Sequence, residues 1–529
     1  MNIRFFVISL ITIALTSFSS SAQEEEMQPK PRPTYWHMES PTNEFSGIQA
    51  TEAYEFLKDK KATPLIVAVI DSGTEISHPE LNGSIWVNAD EVPENGIDDD
   101  NNGYIDDVHG WSFIGGANGD VEHDNLEFTR IYKDLKAKFD GRQASTITDA
   151  EKVEYERYKR FIDEYNGRLK KAKDEQAGFE QFLAVYKLAD MTAKKTLDKE
   201  NYTIDDVYGM SADDEFSAAI REILIYALEE DLPSQLEEQK SHFTDQFKYS
   251  YNLDYDPRNI VGDNYSDPNE KFYGNNHNYG PAAEHGTHVA GIIGALHDGQ
   301  GAEGIARNVV IMPIRCVPNG DERDKDVANS IRYAVDNGAK IINMSFGKSY
   351  SPYKYVVDDA IKYAESKGVL FIHACGNDAK NVDVSKNFPT PYYDNGSRCS
   401  TWIEVGASDY YVSDLSADFS NYGKKRVDVF APGVDIFSTY TNHSLKKLDG
   451  TSMAAPVVSG VAAELWSYYP QLTAVEVKYI LEKSVVKYKK AKVQDPSKEG
   501  KRIKFSKLSK TGGVINLYKA VLLAEKMRG

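Results

Sequence analysis

The run Leu65-Ile66-Val67-Ala68-Val69-Ile70 constrains the fold more than any other stretch of this chain. It is apolar at every position and rich in β-branched residues. A strand with one solvated face alternates polar and apolar positions, so this run predicts a strand buried on both faces of a parallel sheet. It ends directly in Asp71-Ser72-Gly73. In open α/β sheets functional groups gather just past the carboxyl ends of strands, and Asp71 falls there.

The later part of the chain alternates in the manner of βαβ units. Strands are predicted at 309–314, 339–345, 369–374, 402–407 and 427–430, with helices at 326–337 and 353–367. A further helix is predicted at 48–57. Strands alternating with helices predict an α/β fold with a doubly wound, mostly parallel sheet flanked by helices. Between about 120 and 255 the pattern changes. Tyr155, Tyr158, Ile162, Tyr165 and Leu169 recur at spacings of three and four among charged residues, and Phe179, Leu183 and Tyr186 continue the series. That periodicity predicts an amphipathic helix, with a second at 213–230. The expected organisation is a polar arm (23–45), a first part of the α/β domain (46–119), an α-helical insertion (120–255) and the remainder (256–529).

The first 22 residues carry Arg4, an apolar run from Phe5 to Leu15, and Ser20-Ser21-Ala22 before Gln23. This is the pattern of an export signal peptide, and the run is short for a bilayer that needs about 20 apolar residues. A mature protein without a membrane span, periplasmic or extracellular, is expected. The net charge of −20 argues against nucleic acid or an anionic membrane as a partner. Cys316, Cys375 and Cys399 are too few for a disulfide framework, and no CxxC spacing suggests zinc.

Three stretches carry candidate chemistry. In Asp449-Gly-Thr-Ser-Met-Ala-Ala-Pro456 small residues flank Ser452 just before an apolar run that predicts a helix. A serine there is either a capping residue or a nucleophile beside unpaired helix N–H groups. Glu284-His285-Gly-Thr-His288 opens another apolar run, and a neutral imidazole can take a serine proton if a carboxylate orients it. The competing use of His285 and His288 is a metal pair, although no glutamate lies between them. Asn377 follows the strand 369–374, where its amide could donate to an oxyanion or serve an ordinary turn.

A fourth stretch, from Asp98 to Asp107, alternates oxygen-bearing side chains around Gly103. Asp98, Asp100, Asn102 and Asp106 are the expected ligands of a structural Ca²⁺. The competing reading is a solvated acidic turn, since the closing glutamate of an EF-hand loop is missing.

Together these pieces resemble the subtilase (subtilisin-like serine peptidase) family, from about Ala62 to Gly115 and from Pro281 to Leu523. Val-Ile-Asp71-Ser-Gly, His285-Gly-Thr-His-Val-Ala-Gly and Gly-Thr-Ser452-Met-Ala-Ala-Pro match its three motifs in its order. The resemblance implies a secreted serine endopeptidase acting on protein or peptide substrates, with no cofactor for catalysis. It implies that Asp71 orients the imidazole, His285 is the base and Ser452 the nucleophile. Asn377 and the Ser452 N–H would form the oxyanion hole, and His288 would be structural. Ser345, Phe346 and Gly347 would pair with an extended substrate, and Ala374, Cys375 and Gly376 would form the other wall of the primary pocket. Cys375 is then expected to make the pocket sensitive to thiol reagents.

Two departures from the family pattern stand out. Residues 23–45 are too few for its usual folding-assisting propeptide, and the helical insertion falls where the family is compact. That insertion reads as a lid, a substrate-selecting arm or a partner surface. Two other functions are weighed against the peptidase: a metallohydrolase using His285 and His288, and a binding protein whose working part is the helical arm.

Overall fold

The computed structural model describes residues 32–229 and 232–528. They divide into two compact units, one of residues 32–127 with 256–528 and the other of 128–255. The first is built on seven strands: β1 (Leu65–Asp71), β2 (Trp111–Ser112), β3 (Val309–Arg315), β4 (Ile341–Met344), β5 (Leu370–Ala374), β6 (Trp402–Ser408) and β7 (Val429–Pro432). Their order is β2-β3-β1-β4-β5-β6-β7, and every neighbouring pair is parallel. The chain therefore passes from one side of β1 to the other between β3 and β4. Open α/β sheets bind their ligands at such a switch, outside the carboxyl ends of the strands.

The flanking helices are α1 (Ala50–Leu57), α2 (Glu284–Gly294), α3 (Asp324–Asp336), α4 (Lys354–Ser366) and α5 (Thr451–Tyr468). Successive β1 side chains enter opposite cores, as strand geometry requires. Val67 and Val69 pack with Val289, Ile293, Val457 and Val461 of α2 and α5, while Ala68 and Ile70 pack with Ile331 of α3 and Ala360 of α4. All four β1 residues are buried, which explains the unbroken apolar run.

An antiparallel hairpin, β8 (Ile436–Tyr440) and β9 (Ser444–Leu448), was not legible in the sequence. Its turn uses Asn442 and His443, both in the left-handed region (φ 60° and 54°). Glycine usually marks such a turn, and no glycine is present here.

The arm 23–45 differs from its expectation. Residues 23–31 lie outside the described residues, as does the expected signal segment 1–22. From Arg32 onward the chain is no loose tether. Trp36 is fully buried and its indole N–H donates to Val434 O at 3.0 Å. Arg32 pairs with Asp409 at 2.7 Å. One buried tryptophan supplies enough apolar area to anchor an otherwise polar, proline-dotted stretch.

The insertion also begins later than the change in composition suggests, at 128 and not 120. Asp120 pairs with Gly115, Val121 N–H donates to Ile114 O at 2.8 Å, and Asp124 N–H donates to Asn319 O at 3.1 Å. Residues 120–127 thus form a stem belonging to the first unit. In the second unit the series from Tyr155 to Tyr186 lies on one helix of 46 residues, Lys152–Leu197, and the second predicted helix spans Glu215–Glu229. Tyr186, Ala189 and Ala193 of the long helix pack with Ile220, Leu224 and Ala227 of the shorter one.

Removing the anchor tests the place of the N-terminal stretch. Trp36→Ala is expected to destabilise the protein by about 3–5 kcal/mol, because the cavity lies in the main core. Denaturant unfolding reads this directly, and an unchanged midpoint would mean the stretch is a tether after all.

Candidate active site

β1 delivers Asp71 to the carboxyl edge of the sheet, and α2 delivers His285 in its first turn. Their contact is short: His285 Nδ1 lies 2.7 Å from Asp71 Oδ1. A carboxylate only accepts, so Nδ1 carries a proton, and in the neutral imidazole Nε2 keeps its lone pair. Burial works against a charged imidazole here, but the Asp71 charge and hydrogen bond outweigh it and hold the His285 pKa above its ordinary value. The approach needs a glycine. A Cβ on Gly286 would sit 2.1 Å from Gly73 O and 3.1 Å from Asp71 Cβ.

His288, one turn on, has a different fate. It is fully buried and its Nε2 lies 3.0 Å from Lys446 O on β9. A carbonyl also only accepts, so this nitrogen carries a proton and has no lone pair for a metal. Desolvation pushes its pKa down to about 3. The hairpin is fixed to α2 by two further bonds, Thr439 Oγ1 to Thr287 O (2.7 Å) and Ser438 Oγ to His288 O (2.8 Å). The Nε2 contact leaves only His288 Nδ1 as a possible ligand atom, and among the described residues the two histidines join no cluster of three metal-ligating side chains, so the metal-pair reading lacks a third ligand.

Ser452 is the second residue of α5 and its side chain caps nothing. Its hydroxyl donates to Ser345 O at 3.0 Å and not to His285. In return Ser345 Oγ donates to Ser452 O at 3.0 Å. Pro456 makes that second bond possible. In a regular helix Ser452 O would accept from the N–H four residues on, and proline has none. Behind Ser345 a buried chain continues: Asn343 Nδ2 donates to Ser345 Oγ at 3.0 Å, and Ser459 Oγ to Asn343 Oδ1 at 2.8 Å.

Asn377 is held by Thr451, whose backbone N–H and hydroxyl donate to Asn377 Oδ1 at 2.9 Å and 2.8 Å. A backbone N–H can only donate, so the amide oxygen must face Thr451, and among the described residues the amide N–H groups have no acceptor. A Cβ on Gly450 would lie 3.4 Å from Ser452 N and 3.5 Å from Asn377 Nδ2. Both donors thus border one space that stays open because residue 450 has no side chain.

Ser345, Phe346 and Gly347 leave the end of β4, while Ala374 ends β5 with Cys375 and Gly376 following. These strands are adjacent and parallel, so both segments emerge from the same edge of the sheet. Cys375 departs from its expected role. Its sulfur is fully buried among Val382, Leu415 and Phe430, and Sγ donates to Asn421 O at 3.1 Å. Burial raises the thiol pKa well above its ordinary value. The thiol faces the core and offers a reagent nothing at the pocket.

The acidic loop assembles differently from its spacing. Asp98 accepts from the backbone N–H groups of Asn102 (3.0 Å) and Gly103 (2.8 Å), and Asp106 from those of Asn95 (3.1 Å) and Gly96 (2.9 Å). Both carboxylates are committed to the turn. Asp100 instead meets Glu91 and Asp107, whose ligand oxygens all lie within 4.8 Å of one another. Asn102 reaches them through its amide N–H groups, 3.0 Å from Asp100 and 3.1 Å from Asp107. Glu91 lies outside the motif, which is why spacing missed it. Among the described residues no basic side chain pairs with these three, and burial raises the pKa of Glu91 and Asp107.

A parallel sheet with these groups gathered at its carboxyl edge defines a subtilisin-like α/β protein. Comparison with known sequences makes the family explicit. Residues 63–502 match the Subtilase family, and the chain belongs to it. It is 42% identical over 185 residues to the thermophilic serine proteinase of Bacillus sp. (strain AK1), covering 35% of this chain and 42% of that protein. To thermitase of Thermoactinomyces vulgaris it is 39% identical over 185 residues, covering 35% and 61%. The chain thus spans less than half the length of the first relative and under two thirds of the second. A solved cold-adapted subtilisin-like serine proteinase shares 29% identity, with 46% of this chain and 78% of that one covered at a TM-score of 0.36. Among the described residues no helix is long and apolar enough to cross a membrane.

The two histidines should titrate far apart. His285 is expected above the ordinary 6.5, and His288 neutral down to about 3. In Asp71→Asn the raising partner is lost and the His285 pKa should fall from its parent value. Nitrogen-15 NMR of the imidazoles checks both, and an unmoved His285 would contradict the pairing.

Proposed function

We propose that this protein is an exported serine endopeptidase that cleaves protein or peptide substrates through Asp71, His285 and Ser452. The observation that carries the reading is the 2.7 Å Asp71–His285 contact at the sheet edge where Ser452 and Asn377 also gather. A substrate strand would pair with Ser345-Phe346-Gly347 by β-augmentation. Ser452 Oγ rotates off Ser345 O, gives its proton to His285 Nε2 and bonds to the scissile carbonyl carbon. The carbonyl oxygen becomes an anion taken up by the Ser452 N–H and Asn377 Nδ2. The C–N bond then breaks as the imidazolium returns the proton to the leaving amine, and water releases the acyl group by the same path. Asp71 holds the imidazole in the required tautomer throughout. The helical unit 128–255 would contact substrate or a partner, and export rests on the pattern of residues 1–22.

Ser452→Ala is expected to lower casein hydrolysis at least about 10⁴-fold, and Asn377→Ala about 10²–10³-fold in kcat with little change in KM. Parent-like casein cleavage by Ser452→Ala would overturn the assignment.

A structural Ca²⁺ remains part of the reading, now held by Glu91, Asp100 and Asp107. Three carboxylates this close repel one another, two of them are buried, and a hard cation with oxygen ligands relieves the repulsion. The amides of Asn88 and Asn102, which already donate to Asp100 and Asp107, would give way or turn. Millimolar calcium is expected to stabilise the protein by about 2–3 kcal/mol relative to chelator, and Asp107→Asn to abolish that response. Identical melting curves with and without calcium would remove the metal.

A further inference from the structure

The mechanism above uses groups at the sheet edge. One buried group directly beneath them has no part in it: Arg315, the last residue of β3 and the in-register neighbour of Asp71. Its side chain is 1% exposed, yet among the described residues no carboxylate lies closer than Asp120 at 3.9 Å. A buried guanidinium is normally matched by a close acid, because desolvating an unpaired charge is costly. Here three main-chain carbonyls and one hydroxyl take its place. Nε donates to Ser72 O at 3.0 Å, Nη1 to Ser112 Oγ at 3.3 Å, and Nη2 to Val121 O and to Pro281 O, the latter at 3.3 Å.

These acceptors come from separate stretches of chain that the one guanidinium joins. Ser72 follows Asp71. Pro281 precedes α2, and with it His285. Ser112 is on the edge strand β2, and Val121 is on the stem that leads into the helical insertion. The surrounding backbone accommodates the side chain: a Cβ on Gly280 would lie 2.4 Å from Arg315 Nε. The segment returning from the insertion is stitched alongside. Asn275 N–H donates to Ser112 O at 3.1 Å, and Thr74 N–H donates to Asn278 O at 2.9 Å. The main chain after Arg315 adds two more ties, with Cys316 and Val317 N–H donating to Asp71 O at 3.0 Å and 3.2 Å.

We infer that Arg315 is a positioning residue for the acid–base pair: its planar fork sets the distance between the segment carrying Asp71 and the segment carrying His285, and fixes both to the stem of the insertion. Only a guanidinium suits the task, because it presents several donors in one rigid plane where an ammonium offers a single point. Catalytic geometry is sensitive to such support, since a displacement of about 1 Å can cost about 10²-fold in rate. The inference rests on the triad reading. The titratable groups around the guanidinium are Asp120, Glu122 and Cys316, and those around His285 are Asp71 and His288.

The test compares Arg315→Lys and Arg315→Met with the parent in the full chain. It measures kcat and KM on a peptide substrate, the pH dependence of kcat/KM, and thermal unfolding. Arg315→Met is expected to lose about 10–100-fold in kcat with KM within about threefold. The acidic limb of its pH profile should move down, as the Asp71 support that raises the His285 pKa loosens. Arg315→Lys keeps the buried charge but not the fork and should fall between the two. Where Arg315→Met gives no folded protein, Arg315→Lys carries the test, with a loss of about three- to tenfold in kcat and a limb shifted the same way. Parent-like kcat and an unmoved limb in folded variants, with lowered melting temperature alone, would overturn the inference and leave Arg315 a stabilising residue. Labelling of the parent by a fluorophosphonate separates the two readings: an unlabelled parent means that the serine assignment has failed, whatever Arg315 does.

Discussion

The 2.7 Å contact between Asp71 and His285 depends on two residues that have no side chain. Gly286 lets the first turn of α2 come down onto the loop after β1. Gly73, at φ 125°, turns that loop where a Cβ would meet Tyr279 O at 2.6 Å. Without this close approach the carboxylate could not reach Nδ1, and the imidazole would lose the partner that raises its pKa. The parallel sheet supplies the frame by ending β1 and β4 at the switch in strand order. Backbone clearance decides whether the frame brings the carboxylate and the imidazole together.

The serine side is organised by the same economy of polar groups in a dry interior. Burying a hydroxyl or an amide is tolerable only when its partners are present. Ser459, Asn343 and Ser345 form such a chain, and it ends on the carbonyl that Pro456 leaves without its usual donor. Thr451 plays the corresponding part for Asn377, fixing which end of the amide faces the open space beside Gly450. In its resting geometry the Ser452 hydroxyl sits on Ser345 O.

Much of this was legible in the sequence, and the exceptions share a cause. The unbroken apolar run of β1, the alternation of later strands and helices, and the periodicity over 155–186 report burial, which sequence pattern encodes directly. The positions of Asp71, His285, Asn377 and Ser452 followed because each lies at the end of such an element. What failed to show was which way side chains face and which of them meet. Glu91 joins Asp100 and Asp107 through a turn, while Asp98 and Asp106 cap backbone N–H groups in that same turn. Cys375 follows β5 directly, yet its thiol turns into the core, a matter of one residue's facing. Trp36 and Arg315 looked like ordinary members of a polar arm and a strand end, and their importance comes from partners hundreds of residues away.

The central claim is that Ser452 is the nucleophile that His285 activates. Mass-spectrometric mapping of the protein after reaction with a peptidyl phosphonate tests it most directly. The account predicts one covalent adduct, on the peptide containing Ser452, formed faster as pH rises through the His285 titration and lost in His285→Ala. An adduct elsewhere, or labelling of Ser452 at the same rate without His285, would contradict it.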